Sequence, residues 1–297
     1  MKSSLLMFWI AIVLPWSAVN AQQTSVNITT FNLKWFGIGG NPNAPSKEYR
    51  IKIVKDLISK YLANTNLFVF EEVVVVKDVL SILPQGWACI SYEHPQPQHQ
   101  HVVLCATPGV SLTKVNYDNN FTIEEAQGGN SNLRPAMRVD VVETKSNRNL
   151  LTLVGVHLKA MPTETALRMQ QVAAISKDLA KIPQGRPVVL TGDMNTFLKS
   201  ETKQKADDVD LLLQAINSVS KGYVRVPHKP NVFTFRSPEF RNQFDQFYVR
   251  GTMRVTVLPD VFPVCSATQN GSGYMNFDYY YKNVSDHCPA TLQIVVQ

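Results

Sequence analysis

The sequence holds only four cysteines, Cys89, Cys105, Cys265 and Cys288, and no CxxC pair. Zinc knuckles and thioredoxin-type redox motifs need closely spaced thiols, so both are excluded. After residue 21 no stretch approaches the ~18 apolar residues that mark a membrane-spanning helix. Even the valine run at residues 73–76 is closed by Lys77 and Asp78. There is no detectable repeat and no long linker, so residues 22–297 give no internal boundary and are expected to form a single domain. Charged residues are also few, at 18% against 44% hydrophobic, a balance that excludes an intrinsically disordered chain and implies a packed core. With 29 Lys+Arg against 23 Asp+Glu the formal net charge is +6. That excludes an acidic tail and permits a polyanionic partner without requiring one.

The start of the chain is the exception to this lack of apolar runs. Lys2 precedes apolar residues 5–14, Pro15 breaks the run, and Val19-Asn20-Ala21 supplies the small residues a signal peptidase needs. Residues 1–21 therefore read as a cleaved secretory signal peptide; an uncleaved anchor would be short for a bilayer. The expected location is secreted or periplasmic, without stable membrane association. Disulfides fit that oxidising compartment better than four reduced core thiols. Of the three possible connectivities, Cys89–Cys105 with Cys265–Cys288 is favoured. Residues 87–92 and 102–107 look like strands folded about a loop, which sets the first two cysteines opposite each other. Four Asn-X-Ser/Thr sequons begin at Asn27, Asn120, Asn270 and Asn283, and would matter only in a eukaryotic secretory path.

Strands and helices alternate along the rest of the chain. Strands are expected at residues 26–31, 67–70, 137–142, 150–156, 188–191, near 233, 247–249, 254–258 and 290–296. Helices are expected at 46–62, 74–83, 163–181 and 207–218, the first from its spacing of Ile51, Val54, Leu57, Ile58 and Leu62. Mixed hairpins and crossover helices imply mixed sheets covered by helices.

Polar residues recur where the buried strands end, which is where α/β folds commonly build a site. The endings are Phe31-Asn32, Glu71-Glu72-Val73, His157-Leu158-Lys159, Gly192-Asp193-Met194-Asn195 and Ser285-Asp286-His287-Cys288-Pro289. Each alone is more often a turn than a ligand. Together they offer carboxylates, amides and two imidazoles. Oxygen donors suit a hard cation such as Mg2+, Mn2+ or Ca2+, and histidines beside it suit proton transfer. The set points to metal-assisted phosphoester hydrolysis.

These motifs, with Phe244-Asp245-Gln246, resemble the endonuclease/exonuclease/phosphatase superfamily, the deoxyribonuclease I-like proteins, over residues 26–296. The resemblance implies a four-layer α/β sandwich of two packed mixed sheets flanked by helices. It implies that Glu72, Asn32 and Asp286 hold a divalent cation, with Mg2+ favoured, and that His157 and His287 form the catalytic pair. It further implies that Asp245 orients His157, and that Asp193 and Asn195 position the scissile phosphate and the attacking water. The resemblance allows two accounts: His287 as general base with Asp286 or Asp193 orienting the water, or the aspartate itself as base. Three departures stand out. Glu71 replaces a common glutamine and is either a charge near the metal or a surface carboxylate. The segment Gln98-His99-Gln100-His101 stands where some members place an acid behind the first histidine. Val74 replaces an arginine that contacts DNA in deoxyribonuclease I.

Inositol-phosphatase signatures are missing, since Thr196-Phe197 follows Asn195. The loops at 95–101 and 117–132 are polar, unlike a sphingomyelinase's membrane-docking hairpin. The pattern is most similar to secreted bacterial nucleases of this superfamily, with nucleic acid, DNA first, as the substrate. Arg134 and Lys159 are candidate phosphate contacts; Trp35 and Phe36 are either base-stacking or packing residues. A secreted phospholipid phosphodiesterase and a weakly catalytic, toxin-like binding subunit are the alternatives. No obligate protein partner is evident, and a monomer is expected.

Overall fold

The computed structural model describes residues 23–38, 45–92, 99–116, 133–198, 206–266 and 275–297. The expected signal peptide, the sequons at Asn120 and Asn270, and the loops at 93–98 and 117–132 lie outside the described residues.

Strand β1 (Thr24–Phe36) crosses over through helix α1 (Lys47–Tyr61) to a parallel neighbour, β2 (Leu67–Val73). Ser46 caps α1 by accepting the Tyr49 N–H at 3.2 Å, and Ile53, Val54, Leu57 and Ile58 form its buried stripe. Then follow α2 (Val76–Ile82), β3 (Ala88–Ser91), β4 (His101–Ala106), β5 (Val110–Asn116), β6 (Met137–Glu143) and β7 (Arg148–His157). A second crossover, through α3 (Thr165–Leu179), leads to β8 (Val188–Asp193), parallel to β7. The chain continues through α4 (Asp208–Val219), β9 (Val224–Val226), the short pair β10 (Phe235–Arg236) and β11 (Arg241–Asn242), and β12 (Asp245–Arg250). It ends in β13 (Met253–Val261), α5 (Phe277–Asn283) and β14 (Ala290–Val296).

Two six-stranded mixed sheets result, ordered β13-β14-β1-β2-β4-β3 and β5-β6-β7-β8-β12-β9. The period-2 alternation of side chains sorts the second sheet's residues between two cores. Phe247 and Val249 of β12 and Val189 of β8 face the core shared with the first sheet. Tyr248, Val188 and Leu190 face Val172 and Ile175 of α3 and Leu212 and Ile216 of α4. Each buried side chain of this kind contributes roughly 1.5–3 kcal/mol, so two continuous apolar layers hold the sandwich. The sheets approach closely at Gly155 of β7, where a Cβ would lie 2.7 Å from a Leu104 methyl and 2.8 Å from a Val69 methyl. The layered α/β architecture is the one the motifs implied.

Both favoured disulfides are present. Cys89 and Cys105 are directly opposed on β3 and β4, with Cα atoms 4.1 Å apart. Cys265–Cys288 closes a separation of 23 residues and ties the chain ahead of β14 to the turn after β13. Loops of that size are worth about 3 kcal/mol each in the chain-entropy account. At the two sequons within the described residues the amide nitrogens are engaged: Asn27 Nδ2 donates to Asn64 O and Asn283 Nδ2 to Tyr279 O, both at 2.8 Å. Among the described residues, no helix is long and apolar enough to cross a membrane.

Candidate active site

In the second sheet, His157 closes β7, Asp193 closes β8 and Asp245 opens β12. Register sets His157 opposite Asp193, and Asp193 opposite Asp245, so the three form a row across adjacent strands. In the first sheet, Asn32 lies opposite Glu71, with Glu72 next in the chain. The Asn32 amide joins the halves: Nδ2 donates to Asp193 Oδ2 at 2.9 Å and to Glu72 Oε1 at 3.2 Å. Its Oδ1 accepts the Lys34 N–H at 2.9 Å. As placed, Asn32 therefore aligns two carboxylates and turns its oxygen away from them.

His287 arrives from the other end of the chain. Ser285 Oγ donates to Asn32 O at 2.7 Å and accepts the His287 N–H at 3.0 Å, while Tyr280 Oη donates to His287 O at 2.7 Å. Rings of Phe235 and Phe244, at 5.1 and 6.0 Å, shield the imidazole. His157 Nε2 and His287 Nε2 stand 3.5 and 3.6 Å from the same Asp193 Oδ2. Two imidazoles thus face one carboxylate oxygen.

One expectation is corrected. Asp245 does not orient His157; its Oδ2 pairs with His287 Nδ1 at 2.9 Å. The strand order explains this, because β8 separates β7 from β12 and puts Asp193 between Asp245 and His157. His157 Nδ1 has no hydrogen-bond partner among the described residues. Gln100, in the segment where an acid was missed, reaches Glu72 Oε2 at 2.8 Å instead. Glu71 is fully buried and accepts from Thr30 Oγ1 at 2.7 Å, which overturns its reading as a surface carboxylate.

The remaining candidates surround this centre. Asn195, in left-handed backbone (φ 47°), donates its N–H to Asp193 Oδ1 at 2.9 Å and its Nδ2 to Leu158 O at 3.0 Å. Burial lowers the Arg134 guanidinium from the usual arginine range, while Glu72 and Asp193 nearby favour its charge and partly offset this. Lys159 follows His157 with a half-exposed side chain; Gln171 and Arg168 hold its backbone at 2.9 and 3.0 Å. Asp286 is bound by Lys34 Nζ at 3.1 Å. Among the described residues, the group whose donor atoms all lie within 4.8 Å of one another is Glu72, His157 and Asp193, without Asp286.

Residues 29–287 match the model of the Endonuclease/Exonuclease/phosphatase family. The chain belongs to that family. Among solved structures, an endonuclease/exonuclease/phosphatase family protein from Bacteroides thetaiotaomicron is similar at a TM-score of 0.64 and 15% identity, covering 93% of this chain and 100% of that one. D. rerio TDP2, complexed with a single-strand DNA product, has a TM-score of 0.63 and 11% identity over 91% of this chain and 99% of its own. The human Nocturnin catalytic domain with bound sulfate has a TM-score of 0.63 and 16% identity over 93% and 97%. Among curated proteins, no sequence matches.

Within this endonuclease/exonuclease/phosphatase site the two histidines are electrostatically unlike. Burial, then the Arg134 and His287 charges, push His157 well below the usual histidine range. Burial also opposes a charge on His287, but Asp245 and Asp193 outweigh it and hold its proton. Burial raises Asp193, against the pull of His287. Burial and charge thus bias the two imidazoles toward opposite protonation around one carboxylate.

Two buried or half-buried arginines outside the strand-end motifs support the site. Arg50 Nη2 donates to Val284 O at 2.7 Å and also to Leu33 O, tying the end of β1 to the loop that carries His287. Arg168, fully buried, pairs with Asp208 and donates to Met161 O at 2.7 Å, fixing the loop after His157. Arg168, with Gln171, is legible in the sequence from its place on the helix after the His157 motif, whereas Arg50 lies in no motif.

Proposed function

We propose that the protein is an exported, divalent-cation-dependent phosphodiesterase that hydrolyses nucleic acid, with DNA as the favoured substrate. The observation that carries this reading is the placement of two imidazoles 3.5 and 3.6 Å from one Asp193 oxygen, with the Glu72 carboxylate alongside. The oxygen donors suit a hard cation: Glu72 and Asp193 would hold it, Mg2+ first, with Asp286 joining if Lys34 releases it. Such an ion supplies Lewis-acid stabilisation of phosphoryl oxygens. The protein's own groups do the rest. Neutral His157 accepts a proton from the attacking water at Nε2. Charged His287 gives its Nε2 proton to the leaving oxygen, while Asp245 fixes the ring through Nδ1. Asn195 and Arg134 orient the phosphate, and the arginine offsets its developing charge. The two disulfides support an oxidising compartment.

Plasmid, linear and single-stranded DNA and RNA are expected to be cleaved with Mg2+ or Mn2+ and to stay intact in EDTA. Cleavage that persists in EDTA sinks the metal assignment, and phosphocholine release from sphingomyelin without nucleic-acid cleavage sinks the substrate. Asp245→Asn removes the carboxylate that holds the His287 proton. A group that must be protonated loses activity as pH rises through its pKa, so the alkaline limb of the kcat–pH profile is expected to move to lower pH. An unmoved limb would reject His287 as the acid.

A further inference from the structure

Strand β1 leaves the site through two consecutive residues in left-handed backbone, Lys34 (φ 44°) and Trp35 (φ 55°). Residues with a Cβ adopt that region only where their surroundings impose it. The result of the turn is a division between two aromatic neighbours: Phe36 is buried at 1% exposure, whereas Trp35 is 49% exposed. The backbone that carries the indole is nevertheless held on both sides. The Trp35 backbone N–H donates to Glu72 Oε2 at 3.2 Å, and the Trp35 carbonyl accepts from Arg50 Nη1 at 3.4 Å. Beside it, Lys34 lies 3.1 Å from Asp286 and 4.0 Å from the centroid of the Tyr281 ring. A flat apolar face and a cation therefore stand together at the rim, one hydrogen bond from a carboxylate of the reacting centre.

An exposed indole accepts the π-face of any base, whatever the sequence, and a neighbouring lysine attracts the phosphate backbone. A base is free to stack on protein only when it is not stacked within a duplex. The neighbouring cation favours a polyanionic strand over an uncharged lipid surface. We propose that Trp35 is a stacking platform for a nucleobase flanking the scissile phosphate, which makes single-stranded nucleic acid the preferred substrate of this site. The proposal rests on the phosphodiesterase reading above.

The test pairs binding with cleavage in the full-length protein. In EDTA, a short mixed-sequence DNA strand is expected to quench tryptophan fluorescence of the wild type. The quench is lost in Trp35→Ala, and an abasic strand of the same length produces little of it. With Mg2+, Trp35→Ala is expected to raise KM for the base-bearing strand by about 5- to 100-fold, with a smaller effect on kcat, and Trp35→Phe restores most of the loss. The ratio of KM for abasic to base-bearing strand falls toward unity in Trp35→Ala. An unchanged ratio, a preference for duplex, or a quench produced by sphingomyelin vesicles and not by DNA overturns the proposal. Quenching by DNA without cleavage under any cation supports the platform and rejects the phosphodiesterase reading instead.

Discussion

Replacing His157 or His287 with alanine is expected to lower kcat by about 100- to 10,000-fold, the usual contribution of a positioned acid or base. KM should change far less, since neither ring is needed to hold the strand. The two variants should differ in stability. His287→Ala leaves the buried Asp245 Oδ2 without its 2.9 Å partner, a loss of roughly 1–3 kcal/mol. His157 Nδ1 holds no partner among the described residues, so His157→Ala should cost less. Single-turnover cleavage beside chemical denaturation separates the two effects. Near-wild-type cleavage by either variant would remove that histidine from the mechanism.

The second large effect is expected at a residue with no side chain. Gly192 precedes Asp193 on β8 with φ at 139°, and a Cβ there would stand 2.0 Å from the Val156 carbonyl oxygen of β7. No rotamer relieves a clash with backbone. Gly192→Ala must part β7 from β8 where His157 and Asp193 are paired. A displacement of about 1 Å at such a site costs on the order of 100-fold in rate. Stability should fall by about 4 kcal/mol, beyond the ordinary range for one substitution. A stable Gly192→Ala protein with full activity would show that the row does not need this close pairing.

Much of the site was legible because catalytic groups cluster where buried strands stop, and those stops are marked by local motifs. Asp193 with Asn195, and Asp286 with His287, announce themselves within a few residues. The partner of Asp245 did not, because strand order across a sheet is a long-range property: β8 and β12 are neighbours, although α4, β9, β10 and β11 lie between them in sequence. Glu71 could not be sorted into surface or interior from its type, since the carboxyl is buried through its contact with Thr30 on the next strand. Strand β5 escaped notice because it is an edge strand with partly exposed residues and Lys114 on it, so its apolar alternation is weak. Helix α5, FDYYYKN, spans only 7 residues, too few for a helical period to stand out. The helices of regular amphipathic spacing, α1, α3 and α4, lie within two residues of their expected limits.

The pairing of β1 with β14 has a consequence for how the protein is made. Thr24 lies opposite Val296, and the His287 loop is held in place by the last strand and by the Cys265–Cys288 bridge. A chain that has delivered Asn32, Glu72, His157 and Asp193 still lacks His287 and the strand that follows it. Assembly of the row of site residues therefore waits on pairing between distant parts of the chain, and the bridge beside His287 closes only where thiols are oxidised.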